Sequence, residues 1–245
     1  MRVSATELKA ALRRFFEASG YHVGNFEDAA NMVLWLELLG LSGMNELQLS
    51  LAYLEQDSNR SLSKVIYEDL ICATIESHGR SGLNCLAASI DFAEAKAKNS
   101  GTFTLHISNC HNRIFILKAL IDSAKRGFNI AAKWKNGTGE VTEYFVTLNA
   151  GEAYPCFEKR SIEALTTESD HSLTLMISSE FSFARALSDS LENVRITPDQ
   201  FLEKKQQSID LGLDIDQDIW NRINEIGARV LVESNDSSRA GAGGR

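Results

Sequence analysis

The chain has 245 residues, of which 44% are apolar and 24% are charged, so it is long enough and apolar enough to bury a sizeable hydrophobic core. Its 25 basic and 33 acidic residues give a net charge of -8, which argues against a nucleic-acid backbone or an anionic membrane as the main partner. The favoured partners are therefore small molecules or other proteins.

The sequence pattern predicts neither a targeting segment nor a metal site. Polar residues interrupt every apolar run of the opening MRVSATELKAALRRFFEASG, so no secretory signal or membrane span is expected and we place the protein in the cytoplasm. The cysteines are widely scattered, without a C-x-x-C pair or a histidine at finger spacing: they are Cys72, Cys85, Cys110 and Cys156. Neither a structural zinc ion nor a disulfide framework is indicated.

Residues 1–57 predict a helical N-terminal arm. Ser4 and Glu7 form an S-x-x-E capping box, in which each side chain satisfies a backbone amide of the first helical turn. The apolar side chains that follow repeat at helical spacing: they are Leu8, Leu12, Phe15 and Phe16. A first helix is therefore predicted between Ser4 and Gly20.

Two further helices are predicted in this arm. Asn25 is expected to cap the second, AANMVLWLELL, whose apolar residues surround nearly its whole girth before Gly40 ends it. Asn45 with Gln48 is expected to begin the third. Because the second helix is apolar on more than one face, we expect it to be deeply buried and to need a second copy of the chain to cover it.

Residues 58–194 predict an α/β core. Strands and helices alternate at 70–76, 83–98, 102–108, 112–125 and 128–134. Elements of these lengths in this order indicate right-handed βαβ crossovers and parallel strands. Asn136-Gly137 is a strong hairpin signal and 172–179 reads as a further strand, so the predicted fold class is α/β with a mixed sheet.

Residues 195–233 predict C-terminal helices. Thr197 and Gln200 form a capping box for a helix with proline in its first turn, which ends near Gly212. A last helix carries its apolar residues on one face: they are Ile219, Ile223, Ile226 and Val230. Residues 234–245 lack apolar anchors and predict a flexible tail. We expect these parts to form one structural unit.

The stretch from Gly82 to Trp134 contains a glycine-led helix rich in alanine, a strand, a polar cluster, a second helix and a glycine before the next strand. This order resembles the malate/L-lactate dehydrogenase family, which also contains ureidoglycolate, sulfolactate and cyclic-imine reductases. The helical opening is similar to the N-terminal arm of that family, so the resemblance covers about the first 135 residues. The C-terminal stretch from Ile215 looks closer still to a bacterial family of unknown function, a shortened branch of the same lineage.

The resemblance implies a malate/L-lactate dehydrogenase-like fold, a homodimer, and an Arg-Gly-His-x-Ser-His-Gly motif whose histidine serves proton transfer. The matching residues keep the glycine and replace both histidines with Leu41 and Met44. Neither side chain can move a proton, so we predict that hydride transfer has been lost and that no cofactor is bound. If activity persists, the resemblance implies NAD(P)H as the cofactor.

The polar cluster SNCH at residues 108–111 is the candidate site. By resemblance, His111 corresponds to the histidine of the family's Asn-Ser-Asn-His motif, with Cys110 as an alternative register. A histidine at the C-terminal end of a parallel strand is placed to protonate a carbonyl or hold a carboxylate, so His111 is the candidate catalytic residue. Ser108, Asn109 and Cys110 are candidate substrate-binding residues.

Two structural alternatives remain open here. Around the cluster, Asn109 or Asn112 caps a helix whose first turn His111 merely fills. Arg80, between two glycines in HGRSG ahead of a helix, is a further candidate for binding a substrate anion through backbone amides and its guanidinium. A plain loop is the alternative for that segment, because two glycines at this spacing are not a phosphate motif.

The favoured function is a non-catalytic or regulatory protein that binds a small carboxylate metabolite or an enzyme partner. The first alternative is a diverged oxidoreductase or isomerase-like enzyme that uses His111 on a small 2-oxo or imino acid. The second alternative is a structural subunit of a hetero-oligomer, with the apolar helical arm as its interface. No nucleic acid, membrane or metal is expected as a partner.

Overall fold

The fold is a mixed sheet with helices at both ends of the chain, seen in a computed structural model that describes residues 1–57, 61–137, 140–163, 171–183 and 193–230. The described helices are α1 (Ala5–Ala18), α2 (Val23–Leu38), α3 (Gly43–Asp57), α4 (Gly82–Ser100), α5 (Ile116–Lys125), α6 (Pro198–Leu211) and α7 (Gln217–Gly227). The described strands are β1 (Arg2–Val3), β2 (Lys64–Glu68), β3 (Cys72–Glu76), β4 (Thr102–Ser108), β5 (Asn129–Asn136), β6 (Glu140–Leu148), β7 (Cys156–Glu163), β8 (Leu173–Ser178), β9 (Asn193–Ile196) and β10 (Leu213–Asp214). The predicted tail, 234–245, lies outside the described residues.

The two predicted capping boxes are present. At α1 the amide of Glu7 donates to Ser4 Oγ at 3.2 Å, and the amide of Ser4 donates to Glu7 Oε2 at 2.7 Å. At α6 the same exchange joins Thr197 and Gln200. These helices begin where the sequence predicts because both partners of each box lie within one turn of the chain.

Helix α2 begins earlier than predicted and is covered within one chain. His22 occupies the N-cap position without a side-chain hydrogen bond, so the predicted Asn25 cap is wrong. Helices α1, α3, α4, α5 and α6 all contact α2. Its buried residues are Phe26, Ala29, Ala30, Met32, Val33 and Leu36. A second copy of the chain is therefore not needed to bury this helix, and that reason for expecting self-association is wrong.

Helix α3 begins at Gly43 rather than at Asn45. The cap comes from the preceding helix, because Glu37 Oε2 accepts a hydrogen bond from the amide of Met44 at 2.8 Å. Burial raises the pKa of Glu37, while the hydrogen bond from the Met44 amide partly lowers it. The start of α3 is thus fixed by a tertiary contact that no local pattern contains.

The main sheet has the strand order β2-β3-β4-β8-β5-β6-β7-β9. Strands β3 and β4 are parallel neighbours joined through α4, and the other neighbouring pairs are antiparallel. Strand β8 lies between β4 and β5 and is antiparallel to both, so β4 and β5 share one direction without touching. The predicted mixed sheet and βαβ crossover are confirmed, whereas β2, β7 and β9 were not predicted.

One face of this sheet forms the core. Helices α4 and α5 pack against β4, β5, β6 and β8, and buried side chains alternate with half-exposed ones along β4. A separate two-stranded ribbon, β1 with β10, ties the start of the chain to the C-terminal helices. None of the helices in the described ranges is both long and apolar enough to cross a membrane.

Candidate functional site

The side chains of Ser108 and Asn109, at the carboxyl end of β4, bind the end of β3. Ser108 Oγ donates to Glu76 Oε2 at 2.8 Å, and Asn109 Nδ2 donates to both Glu76 carboxylate oxygens at 2.9 Å. Burial raises the pKa of Glu76, but hydrogen bonds from Asn109, the His78 amide and Ser108 together lower it. Both candidate substrate-binding side chains are therefore committed to a structural carboxylate.

Cys110 is fully buried, so it does not reach a substrate. Its Sγ lies 3.7 Å from Cys85 Sγ, and its thiol contacts the carbonyl oxygen of His111 at 3.6 Å. Its backbone amide donates to the carbonyl of His171 at 2.9 Å. The structure thus places the thiol of Cys110 in the core, where it packs against Cys85.

His111 lies in a backbone bridge between β4 and the start of α4. Its amide donates to the carbonyl of Arg80 at 3.0 Å, and its carbonyl accepts from the amide of Gly82 at 2.8 Å. Its ring stacks on Tyr53 at a centroid distance of 4.0 Å and meets the ring of His171 at 4.3 Å. Two backbone hydrogen bonds and two ring contacts therefore fix the imidazole.

The predicted structural alternative for this cluster does not hold as stated. Asn112 directly precedes a short 3-10 turn, Arg113–Phe115, but its side chain makes no capping hydrogen bond. Asn109 and Asn112 both have left-handed backbone angles, φ 49° and 53°, which asparagine tolerates better than most residues. His111 precedes the turn and does not fill it, so the asparagines shape the loop and orient His111.

His111 lines a cleft of about 300 Å³ between α3, the loop after β4 and the β5–β6 connection. The lining residues are Glu46, Leu49, Tyr53, His111, Asn112, Arg113, Ile114, Asn136, Gly137 and His171. Arg113 is only 4% exposed, and its guanidinium donates to the carbonyls of Cys110 and Lys135, each at 2.7 Å. A fixed positive charge therefore forms part of the cleft wall.

Glu46 brings a carboxyl group to the same cleft from α3. Burial raises its pKa, and the charge of Lys159 partly lowers it. Burial likewise raises the pKa of nearby Tyr144, on which the charges of Glu46 and Arg113 also act. The cleft thus combines two imidazoles, a guanidinium and a carboxyl group that holds its proton more tightly than an exposed glutamate.

The sequence did not single out four of these residues. Glu46 and Tyr53 come from α3, Arg113 follows the predicted cluster, and His171 lies far along the chain before β8. Of these four residues, only Arg113 lies next to the predicted cluster in the sequence. The spacing of His171 from other residues did not indicate a functional role. These groups meet because β8 lies beside β4 and α3 lies over the strand ends, which are features of the tertiary fold.

The structure does not bring Arg80 into the His111 cleft. Its side chain lines a separate cleft with Asn84, Cys85 and Phe92. The backbone amides that an anion would need at the start of α4 donate within the protein: those of Gly79, Arg80, Gly82, Leu83 and Asn84. The plain-loop alternative fits this segment better than the anion-binding hypothesis.

Leu41 and Met44, which replace the histidines of the family motif, lie in the hydrophobic core. They are 8% and 2% exposed and belong to the same cluster of buried side chains as Leu36 and Leu47. Packing explains why apolar residues are accommodated there. The imidazole groups that line the described cleft are those of His111 and His171.

Comparison with known proteins supports the fold. The family model described as "Protein of unknown function (DUF3726)" matches residues 3–100, whereas the sequence resemblance to such a family lay in the C-terminal stretch. None of the curated proteins matches the chain significantly. The solved structures give the more extensive likeness.

Malate dehydrogenase from Pyrococcus horikoshii OT3 superposes with a TM-score of 0.70 at 13% identity, over 96% of this chain and 97% of that chain. Malate dehydrogenase from Entamoeba histolytica gives 0.68 at 9% identity, over 96% and 99%. Delta1-piperideine-2-carboxylate reductase from Pseudomonas syringae gives 0.62 at 12% identity, over 92% and 99%. The structural likeness thus extends well beyond the first 135 residues. At these identities the likeness is one of architecture, and the chain has a malate/L-lactate dehydrogenase-like fold.

Proposed function

We propose that the His111 cleft binds a small carboxylic acid. The observation that carries this proposal is the contact of His111 with His171 and Tyr53 beside the buried guanidinium of Arg113. Imidazole N–H groups are strong donors to a carboxylate, and the guanidinium of Arg113, whose N–H groups donate to Cys110, Lys135 and Asn136, adds a positive charge to the cleft wall. The aromatic ring of Tyr53 supplies an apolar wall for the rest of a ligand.

The size of the cleft limits the ligand. A volume of about 300 Å³ is at the lower end of small-molecule sites. A dinucleotide is larger and requires a cradle for its pyrophosphate, which proteins commonly build from backbone amides at a helix start. The amides at the start of α4 already donate within the protein, so this helix start does not offer such a cradle. We therefore favour a binding protein and derive no step through a nicotinamide.

A second candidate function rests on Glu46. A carboxyl group with a raised pKa in the same cleft as two imidazoles supplies the acid and the base that a diverged oxidoreductase or isomerase needs. In that case His111 would protonate the carbonyl or imine of a small 2-oxo or imino acid. The structural neighbours include dehydrogenases and a reductase, and this likeness motivates the test.

Isothermal titration with acetate, pyruvate and 2-oxoglutarate tests the first candidate. We expect wild-type protein to bind at least one of them, and His111→Ala to weaken that binding by more than about tenfold, the loss of one charge-assisted hydrogen bond. His22→Ala is the matched control, because His22 is an exposed histidine between α1 and α2. Binding that is unchanged in His111→Ala would contradict the proposed site.

Following the oxidation of NADH and NADPH against pyruvate, 2-oxoglutarate and a cyclic imine tests the second candidate. We expect no turnover at an enzymatic rate, because the residues that replace the family's histidines carry no proton. Turnover of roughly 1 per second or more, abolished by His111→Ala, would replace the binding proposal with the diverged enzyme.

We also propose that the chain forms a homodimer through the outer edge of β2. All five residues of this edge strand are exposed, and further apolar side chains flank it: they are Leu62, Leu70 and Ile71. Its sequence, KVIYE, carries opposite charges at its two ends, so an antiparallel pair of copies brings each Lys64 towards the end that holds Glu68, which Lys96 contacts within the chain. An enzyme partner is the alternative occupant of this edge.

The cysteines support a reducing compartment, and we propose the cytoplasm. All four are free thiols in the structure: Cys72, Cys85, Cys110 and Cys156. Cytoplasmic proteins keep their thiols reduced.

A further inference from the structure

The open face of the sheet, opposite α4 and α5, carries two straight rows of side chains across five strands. In the first row the paired residues are Thr104, Met176, Ala131, Thr147 and Cys156. In the second row they are His106, Thr174, Lys133, Phe145 and Glu158. Residues paired across neighbouring strands point to the same face, so each row presents one line of side chains.

The side chains of the first row project only a short distance from the sheet, because most of them are small. Ala131 stands at its centre, flanked by Met176 and Thr147, while Phe145 stands in the adjacent row. Phe183, which follows β8, also contributes to the wall. The result is an elongated groove of about 320 Å³ whose surface is almost wholly apolar. An apolar groove of this size on a sheet face is typical of a binding site.

The charges at this groove have the sign that suits a carboxylate. Lys133 lines both the apolar groove and a neighbouring polar cleft that includes Ser172 and Thr174. Within the described part of the chain, the side chain of Lys133 makes no ion pair or hydrogen bond. The acidic residue of the groove, Glu158, is paired with Arg195 at 3.5 Å. Lys133 therefore supplies a cation beside the centre of the groove, and the nearby carboxylates are paired: Glu158 with Arg195, and Glu143 of the polar cleft with Lys135 and Arg160.

We infer that this groove binds a carboxylate with an unbranched alkyl chain of medium length, with the head group at Lys133 and the chain along Ala131 and Met176. The head group would also reach the hydroxyls of Ser172 and Thr174, which line the polar cleft beside Lys133. The alkyl chain of the ligand is shielded from water where it covers the row of small side chains. This site lies on the open face of the sheet and does not depend on the His111 cleft.

Calorimetric titration with hexanoate, octanoate and decanoate, each below its micellar concentration, tests how the length of the alkyl chain affects affinity. Burial of one methylene group strengthens binding about fourfold, so each step of two carbons is expected to lower the dissociation constant by about 15-fold until the groove is filled. 1-Octanol, which has the same chain without the charge, tests the head group. Lys133→Gln is expected to weaken octanoate by about tenfold or more and to leave 1-octanol unchanged.

Two variants test the groove itself. Ala131→Leu fills its floor and is expected to abolish binding of octanoate and of 1-octanol. Met176→Glu places a negative charge at the wall and is expected to weaken octanoate far more than 1-octanol; Met176 is 38% exposed, so this variant is expected to fold even where Ala131→Leu does not. Thermal unfolding of each variant monitors the fold.

Two surface variants serve as matched controls. Lys125→Gln, an exposed lysine on α5, and His22→Ala, at an exposed histidine between α1 and α2, are both expected to bind octanoate as the wild type does. The inference is overturned if no chain length binds at millimolar concentration, or if affinity does not rise with chain length. It is also overturned if Met176→Glu abolishes self-association in light scattering, because a second copy would then cover the groove.

Discussion

Glu46 shows how one half-buried carboxyl group links the fold to pH. Its folded-state pKa is raised chiefly by burial, with the ordinary value being 4.5. A group whose pKa is raised on folding contributes stability while it is protonated and loses that contribution as the pH rises through the folded-state pKa. Above that pKa the ionised Glu46 therefore costs stability.

Glu46→Gln is expected to raise the free energy of unfolding at pH 7.5, because the amide resembles the protonated acid at every pH. The advantage over the wild type should shrink as the pH falls and vanish below about 4.5, where glutamate is protonated in both states. Urea unfolding of the wild type and the variant at several pH values measures this difference in the free energy of unfolding. Glu17→Gln, at an exposed glutamate of α1, should show no such dependence. A loss of stability in Glu46→Gln at pH 7.5 would contradict the argument.

Gly43 is required by the close approach of α2 and α3. A Cβ atom there would lie 2.2 Å from the carbonyl oxygen of Val33 and 2.8 Å from the amide nitrogen of Glu37. Both neighbours are backbone atoms of a buried helix, so neither can move aside without shifting the helix. This contact also explains why α3 begins at Gly43.

Gly43→Ala is therefore expected to reduce stability by about 1–3 kcal/mol, the usual cost of overpacking a core. Gly24→Ala is the control, because a Cβ atom at Gly24, in the first turn of α2, meets nothing within 4 Å. That control should be neutral or stabilising by up to about 1 kcal/mol, since alanine favours a helix over glycine. Equal effects in the two variants, measured by thermal unfolding, would show that the helices can separate at little cost.

At the same scale, the candidate site was only partly predictable from sequence. His111 was identified because it follows a clear strand, and the structure places it in a cleft. The neighbouring Ser108, Asn109 and Cys110 were grouped with it because they are adjacent in the chain. Adjacent residues at a strand end point in different directions, so those side chains bind Glu76 or enter the core. His171 was not identified, because the contact that brings it to His111 is made by the whole sheet.

Among the elements, the ones predicted accurately are those whose signals are local. Strand β4 spans Thr102–Ser108 as predicted, because its alternation of buried and half-exposed residues needs no partner to be read. The predicted starts of α2 and α3 are wrong, because one has no side-chain cap and the other is capped by Glu37 from outside. Strand β2 was not predicted, and all five of its residues are exposed, so its sequence has no buried alternation to read.

The exposed edge of β2 gives a prediction about self-association. Ile66, which is 58% exposed, lies at the centre of this edge. Ile66→Lys should weaken the homodimer by more than tenfold, because a charge at the centre of an apolar interface costs more than about 1.4 kcal/mol. Light scattering over a dilution series measures it. Val23→Lys, at a 74% exposed position outside this edge, should remain dimeric. A wild type that is monomeric at micromolar concentration would contradict the proposed dimer.

On the scale of the whole molecule, the strand order is the feature that the sequence did not predict. Three strands, β3, β4 and β5, were predicted to run in one direction, and they do. The alternation of strands and helices favours direct neighbours, but β8 comes from late in the chain and lies between β4 and β5. Each of these four strands is recognisable from its own sequence, but its neighbour in the sheet is decided by long-range packing.

This order predicts a sequence of events in folding. The β5–β6 and β6–β7 hairpins are local, whereas β4 depends on β8 for one neighbour. Pulse-labelling hydrogen exchange during refolding should therefore show amides of β5, β6 and β7 protected first, and those of β4 and β8 protected together in a later phase. Leu175, fully buried at the centre of β8, supplies the check: Leu175→Ala should slow the later phase and leave the first unchanged. Protection of β4 before β8 would rule out this order.

The position of β8 also has a consequence for synthesis on the ribosome. When the codons for β4 and β5 have been translated, the strand that separates them has not yet been made, since it spans Leu173–Ser178. Until that segment leaves the exit tunnel, the nascent chain carries two apolar strands with open edges, β4 with Phe103, Leu105 and Ile107 among its buried residues. Such edges bind to one another in neighbouring chains. We therefore expect the yield of the folded protein to depend on translation speed and on chaperones that cover nascent strands.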